Sequence, residues 1–183
     1  MNKPLLVSFI GFPGSGKTHF ATQLAKKLQG ISFNSDAVRL AVFGSLENIE
    51  QIRKTDRSRL YSDVFGAMNY MAAQVLQSGH SVVYDAQMAK REDRTRMEKL
   101  ARECGAEFLL VWIQADPDIA KQRGQTRQQR NDSHRYSPEK MEMLVERFAT
   151  TTDLPKKDEK VVKISGELPF SEQYKLFQAA LAE

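Results

Sequence analysis

Eight consecutive residues, Gly11-Phe12-Pro13-Gly14-Ser15-Gly16-Lys17-Thr18, constrain this chain more than any other stretch. They fit the pattern G-x-x-x-x-G-K-[ST] without a mismatch, and the flanks fit as well. Leu5 to Ile10 is a short, mostly apolar run with a β-branched residue, as a buried strand requires. Lys17 to Gln29 brings Phe20, Leu24 and Leu28 to one helical face. Strand, glycine turn and helix follow in the order a phosphate-binding loop needs. A glycine-rich turn that merely starts a helix is outweighed by eight matched positions in that context.

The composition of the loop follows from what it must hold. Gly11, Gly14 and Gly16 have no Cβ, so successive backbone N–H groups can close around a polyphosphate, with Pro13 and Ser15 completing the loop. The helix that begins near Gly16 adds unpaired N–H groups and the positive end of its dipole. Lys17 can reach the β and γ phosphates of ATP, and the Thr18 hydroxyl is a hard oxygen suited to Mg2+.

At 183 residues the chain is expected to form one domain, 1–183, around one core. No apolar run approaches the ~20 residues of a membrane span, and Met1-Asn2-Lys3-Pro4 leads straight into strand sequence without a signal-peptide core. The single cysteine, Cys104, excludes an internal disulfide, so a reducing cytoplasm is expected. A net charge of +4 suits anionic ligands but is modest for a dedicated nucleic-acid binder. Basic residues cluster at Arg53, Lys54, Arg57 and Arg59, and again at Lys121, Arg123, Arg127, Arg130 and Arg135. Either cluster can be a solvated helix face.

Along the chain, Gly30 reads as a helix stop and Ile31–Asn34 as a second strand ending at Ser35-Asp36. Ala37–Phe43 reads as helix, and Glu50–Gln77 as one long helix carrying Leu60, Val64, Met68, Met71, Val75 and Leu76. Ser81–Asp85 is a third strand, Glu92–Cys104 an exposed amphipathic helix, and Glu107–Gln114 a buried fourth strand. Asp116-Pro117 opens a helix through about Arg127, and a polar stretch follows to Tyr136, the two forming a short lid over about 121–137. Ser137-Pro138 caps a further helix. Thr150–Lys160 is a polar connection, Val161–Ile164 a fifth strand, and Ser171 the cap of a last helix with Tyr174, Phe177 and Leu181 inward. Strands alternating with helices predict a three-layer α/β/α sandwich on a parallel sheet. Ligands on such a sheet gather at the carboxyl ends of the strands, where Gly11, Asp36, Asp85 and Gln114 all fall.

Asp36 and Arg39, three residues apart, share the first turns of the helix after the second strand. There the carboxylate can accept a proton from a substrate hydroxyl while Arg39 holds an anionic group; alternatively Ser35 or Asp36 simply caps the helix. Asp85 ends the third strand, a place that holds Mg2+ or orients an arginine, or merely caps a turn. No Glu follows it, and no Asn-Lys-x-Asp motif occurs, so transfer to a substrate is favoured over a motor or a GTP switch. Arg123 and Arg127, four residues apart, can swing onto the triphosphate or face solvent. The histidines have no metal-ligand spacing.

With these residues in hand, the chain resembles the P-loop kinases of the polynucleotide-kinase and zeta-toxin type, small phosphotransferases with an AAA-type ATP-binding domain. The resemblance rests on Gly11–Thr18, on Ser35-Asp36-Ala37-Val38-Arg39, on Val83-Tyr84-Asp85-Ala86-Gln87 followed by Arg94, and on Arg123–Arg127. It implies a nucleoside-monophosphate-kinase type of core, with five strands in the order 2-3-1-4-5. It also implies Asp36 as the base, Arg39 at the acceptor, and Arg123 and Arg127 on the ATP phosphates. Where many relatives have Asn, this chain has Gln87, which with Asp85 completes the expected substrate contacts.

The expected function is transfer of the γ-phosphate of ATP, with Mg2+, to a hydroxyl. The acceptor is either a polynucleotide 5′-hydroxyl or a nucleoside, nucleotide sugar or antibiotic alcohol. The rival is a nucleotide-binding regulatory module that presents the segment around Arg127 to a partner, using the phosphate loop but not Asp36. Oligomeric state is not legible.

Overall fold

Strand β1 (Leu5–Ile10) is buried along all but its first residue, because it lies at the centre of a sheet covered on both faces. The computed structural model describes residues 3–126 and 137–182. After β1 come α1 (Lys17–Leu28), β2 (Ile31–Asn34), α2 (Ser35–Phe43), α3 (Leu46–Thr55) and α4 (Arg57–Gln77). Then follow β3 (Val82–Gln87), α5 (Arg91–Glu103), β4 (Glu107–Gln114), α6 (Pro117–Thr126), α7 (Pro138–Thr151), β5 (Val161–Ser165) and α8 (Phe170–Leu181). Among the described residues the sheet has five strands in the order β2-β3-β1-β4-β5, all pairings parallel, as the family resemblance implied.

The sheet separates two apolar clusters. On one face Leu6, Ile10, Val82 and Tyr84 meet Val64 and Met68 of α4 and Met97 and Ala101 of α5. On the other, Val7, Phe9, Val111 and Ile113 meet Phe20 and Leu24 of α1 and Phe177 of α8. Phe20 touches Phe9 and Phe177 edge-on, at centroid distances of 6.3 and 6.2 Å. Each such fully buried aromatic contributes about 1.5–3 kcal/mol through area alone.

Three local expectations are corrected. The stretch read as one helix from Glu50 to Gln77 is two, because Asp56 leaves helical geometry (φ −145°, ψ 78°). Its backbone N–H closes α3 while its carboxylate accepts from Arg59 N and so caps α4. The left-handed residue that ends α1 is Gln29 rather than Gly30. Gly30 matters by contact instead, since a Cβ there would lie 2.6 Å from the Ser81 carbonyl oxygen. Helix α8 is capped at Pro169, two residues earlier than the Ser171 cap expected, and Leu181 faces solvent. Of the lid expected over 121–137, residues 121–126 continue α6, and 127–136 lie outside the described residues.

Two features position the site. The pairing of β1 with β3 jumps from Ser8–Tyr84 to Phe9–Gln87, so Asp85 and Ala86 have no counterpart on β1. This irregularity falls at the carboxyl end of the sheet and re-aims the side chains there. The connection after α7 is clamped to the start of α5: Arg94, 2% exposed, reaches Glu159 through Nε (2.5 Å) and Nη2 (3.0 Å) and donates Nη1 to the Met88 carbonyl. Arg91 pairs with Asp158, and Lys90 with Asp153. Arg94 thus serves the fold, as a fully hydrogen-bonded buried pair.

Candidate active site

Residues 11–16 form a tight loop between β1 and α1, closed by Ser15 N donating to Phe12 O at 3.1 Å. Gly14 has φ +84°, and a Cβ on it would stand 2.0 Å from the Ala120 carbonyl oxygen on α6. Only glycine meets both demands. Helix α1 starts with no side-chain cap and no acidic residue in its first turn, which leaves its N–H groups for an anion. The Ser15 hydroxyl is buried with no partner. A polyphosphate fits this cradle.

Lys17 folds its ammonium back onto the loop, donating to Gly11 O (2.5 Å) and Phe12 O (3.0 Å). Burial of the ammonium lowers its pKa from 10.5 to about 8, against the opposing charges of Asp85 and then Asp36. Both carboxylate charges thus act on Lys17.

Asp85 is buried at the end of β3. Its Oδ1 accepts from Thr18 Oγ1 at 3.3 Å and its Oδ2 from Asn34 Nδ2 at 2.6 Å. Burial nonetheless raises its pKa, outweighing the Asn34 and Thr18 hydrogen bonds and the Lys17 charge. Thr18 and Asp85 offer a hydroxyl and a carboxylate side by side, and no group of three acidic, His or Cys side chains gathers among the described residues. That sparse oxygen set fits Mg2+, which keeps waters and takes its remaining ligands from phosphate.

The cap of α2 is Asn34, whose Oδ1 accepts from Asp36 N and Ala37 N at 3.1 and 3.0 Å. Asp36 is thus not spent on capping. Its carboxylate accepts from Arg39 Nη1 at 2.5 Å. Arg39 therefore pairs with Asp36, while Asp85 hydrogen-bonds Thr18 and Asn34.

Arg123, on α6, donates Nη1 to the Gly166 carbonyl at 2.8 Å. Gly166 in turn sits against the phosphate loop, where a Cβ would come within 1.9 Å of Ser15 O. Arg127 and Arg130 lie outside the described residues. Gln87 lines a cavity of about 480 Å3 between α4, α5 and the end of β3, and both polar atoms of its amide are buried without a partner.

Three contributors were missed from sequence. Asn34 could have been found, since an Asn ending a strand before a helix is a capping signal. Gly166 and the edge-on contact of Phe12 with Phe148 of α7 (centroids 5.4 Å apart) join distant segments and leave no local pattern.

A 2-3-1-4-5 parallel sheet with a glycine loop and lysine at the carboxyl end of its central strand defines the P-loop nucleotide-binding class. Within that class, residues 6–149 match the family described as AAA domain, and the chain belongs to it. It is similar to 6-phosphofructo-2-kinase/fructose-2,6-bisphosphatase 1 of Homo sapiens, 30% identical over 133 residues. That match covers 64% of this chain, which spans only 27% of the length of the relative. In fold it is similar to a gluconokinase from Sinorhizobium meliloti 1021, with TM-score 0.69 and 19% identity over 100% of this chain and 94% of the other. It is also similar to the Mycobacterium tuberculosis APS kinase solved with AMPPNP and APS, with TM-score 0.64 and 17% identity over 100% of both chains. Among the described residues no helix is long and apolar enough to cross a membrane.

Proposed function

We propose that this chain is an ATP- and Mg2+-dependent phosphotransferase that moves the γ-phosphate to a hydroxyl of a small molecule. The observation that carries the reading is the Asp36 carboxylate, freed from capping by Asn34 at the carboxyl end of the sheet that also carries the phosphate loop. A loop for phosphate and a carboxylate beside it supply the two ends of an in-line transfer.

In this reading the loop amides, Ser15 and Lys17 hold the polyphosphate. Thr18 and Asp85 hold Mg2+, which when bound neutralises charge on the phosphates. Asp36 takes the proton of the acceptor hydroxyl. As it does so, the acceptor oxygen bonds the γ-phosphorus and the bond to the β-phosphate oxygen breaks, leaving ADP and a phosphate monoester. Arg39 orients Asp36 and the acceptor, and Gln87 contacts the acceptor body. Arg123 flanks the loop through Gly166, and Arg127, outside the described residues, is proposed to act with it on the phosphates.

A small acceptor is supported better than a nucleic-acid end, which the polynucleotide-kinase resemblance left open. Much of the basic surface is neutralised within the chain, since Arg53 pairs with Glu50, Arg59 with Asp63, and Lys121 with Asp118 and Glu142. The relative and the neighbouring structures named as kinases act on small molecules by their names, which agrees with this choice.

The test is release of ADP from ATP and Mg2+ by the purified chain across a panel of hydroxyl compounds. Stimulation by a small alcohol is expected. Nucleotide binding without stimulated turnover by any panel member would instead favour a regulatory module.

A further inference from the structure

Gly66 lies inside α4, where glycine is less stable than alanine, and no contact among the described residues accounts for it. Every other glycine of the chain either has a positive φ or stands where a Cβ would come within 2.6 Å of a neighbouring atom. Gly66 has neither a positive φ nor any atom within 4 Å of the Cβ position. The space it leaves open belongs to the cavity of about 480 Å3 between α4, α5 and the end of β3.

The lining of that cavity has a definite chemistry. Tyr61 and Phe65, one turn apart on α4, stack with their planes within 9° and their centroids 6.2 Å apart, so the wall beside Gly66 carries parallel rings. Toward β3, Tyr84 donates its hydroxyl to Asn69 Oδ1 at 2.7 Å, which leaves Asn69 Nδ2 without a partner among the described residues. Gln87, beside them, has neither Nε2 nor Oε1 bonded. A buried amide is destabilising in that state unless something else completes its bonds. Among the described residues the charged side chains of the lining are Asp93 and Arg96, and they pair with each other at 3.1 Å. The cavity thus offers no net charge to an occupant.

We propose that this cavity is a binding site for a small neutral compound with a flat aromatic ring and an amide at its edge. The ring lies along Tyr61 and Phe65 over the bare backbone of Gly66, as aromatic faces favour, and the amide completes Gln87 and Asn69. The volume suits one such molecule. The inference stands apart from the phosphotransferase reading, in which Gln87 alone of these residues takes part.

The test is binding to the full chain without nucleotide, by calorimetry or ligand-observed NMR, so its outcome does not depend on phosphate transfer. The probes are benzamide against cyclohexanecarboxamide, uridine against 5,6-dihydrouridine, and benzoate as the charged counterpart. Saturable binding of a flat amide is expected, about threefold or more tighter than that of its saturated partner, with benzoate weaker than benzamide. Gly66→Ala should raise the melting midpoint of the free chain by about 1–4 °C, because alanine favours the helix, yet weaken that probe by about fivefold or more. Gln87→Leu should weaken it similarly. No saturable binding of either flat amide, equal binding of the saturated partners, or a Gly66→Ala chain that gains stability at unchanged affinity would overturn the proposal.

Discussion

Asn34 donates Nδ2 to Asp85 Oδ2 at 2.6 Å while its own carbonyl oxygen caps α2, so one amide holds the Asp85 carboxylate and the backbone that carries Asp36. It holds Asp85 directly and leaves Asp36 unencumbered by capping. Asn34→Ala removes the cap and one of the two hydrogen bonds to a buried acid. The expected loss is about 2 kcal/mol or more in denaturant unfolding. Asn34→Asp retains the capping oxygen but faces Asp85 with a second carboxylate. It should be destabilised at neutral pH and regain stability on acidification, which unfolding at two pH values checks.

Lys17 gives a pH dependence whose sign is fixed by its lowered pKa. Between about 8 and 10.5 the unfolded chain binds the proton that the folded chain has released, so this residue adds stability as pH rises through that window. Phosphates beside the ammonium raise its pKa again. Nucleotide affinity should therefore be level below about pH 8 and weaken above it. Calorimetry near pH 8.5 in buffers of different ionisation heats should register proton uptake on nucleotide binding. Lys17→Met should abolish that uptake, and proton release in the parent would contradict the assignment.

Gly166 tests whether the phosphate loop leans on β5. A methyl group there would lie within 1.9 Å of the Ser15 carbonyl oxygen and 3.0 Å of Ile113 Cγ2, so loop backbone must move to admit it. Gly166→Ala should lose about 1–3 kcal/mol of stability, as overpacked sites do, and weaken nucleotide binding by about tenfold. Thermal melts with and without nucleotide separate the two effects. A variant that binds nucleotide at parental affinity would show that the loop does not depend on this contact.

The parts of the fold legible in the sequence were those whose signal is local and periodic. The phosphate loop and the bounds of β1, β2 and β4 followed from glycine placement and short apolar runs, and they are as expected. The break at Asp56 was not legible, because apolar spacing resumes at Leu60 and α3 buries only Ile49, leaving little periodic signal to separate two helices. Arg94 looked like part of a charged, exposed helix face. Its burial depends on Glu159, which arrives from 65 residues away. The same holds for the candidate site: Lys17, Thr18, Asp36 and Asp85 each stand in a motif that the sequence displays locally. Asn34 was read only as the end of a strand, and Gly166 only as a turn.

The most direct measurement is single-turnover phosphate transfer by Asp36→Asn, with nucleotide affinity determined on the same protein. The amide keeps an oxygen to accept from Arg39 but cannot take a proton from the acceptor. Transfer is expected to fall by about 10²–10⁴, the usual contribution of a positioned base, with nucleotide affinity unchanged. Transfer at the parental rate would contradict the role of Asp36 and, with it, the reaction assigned to this site.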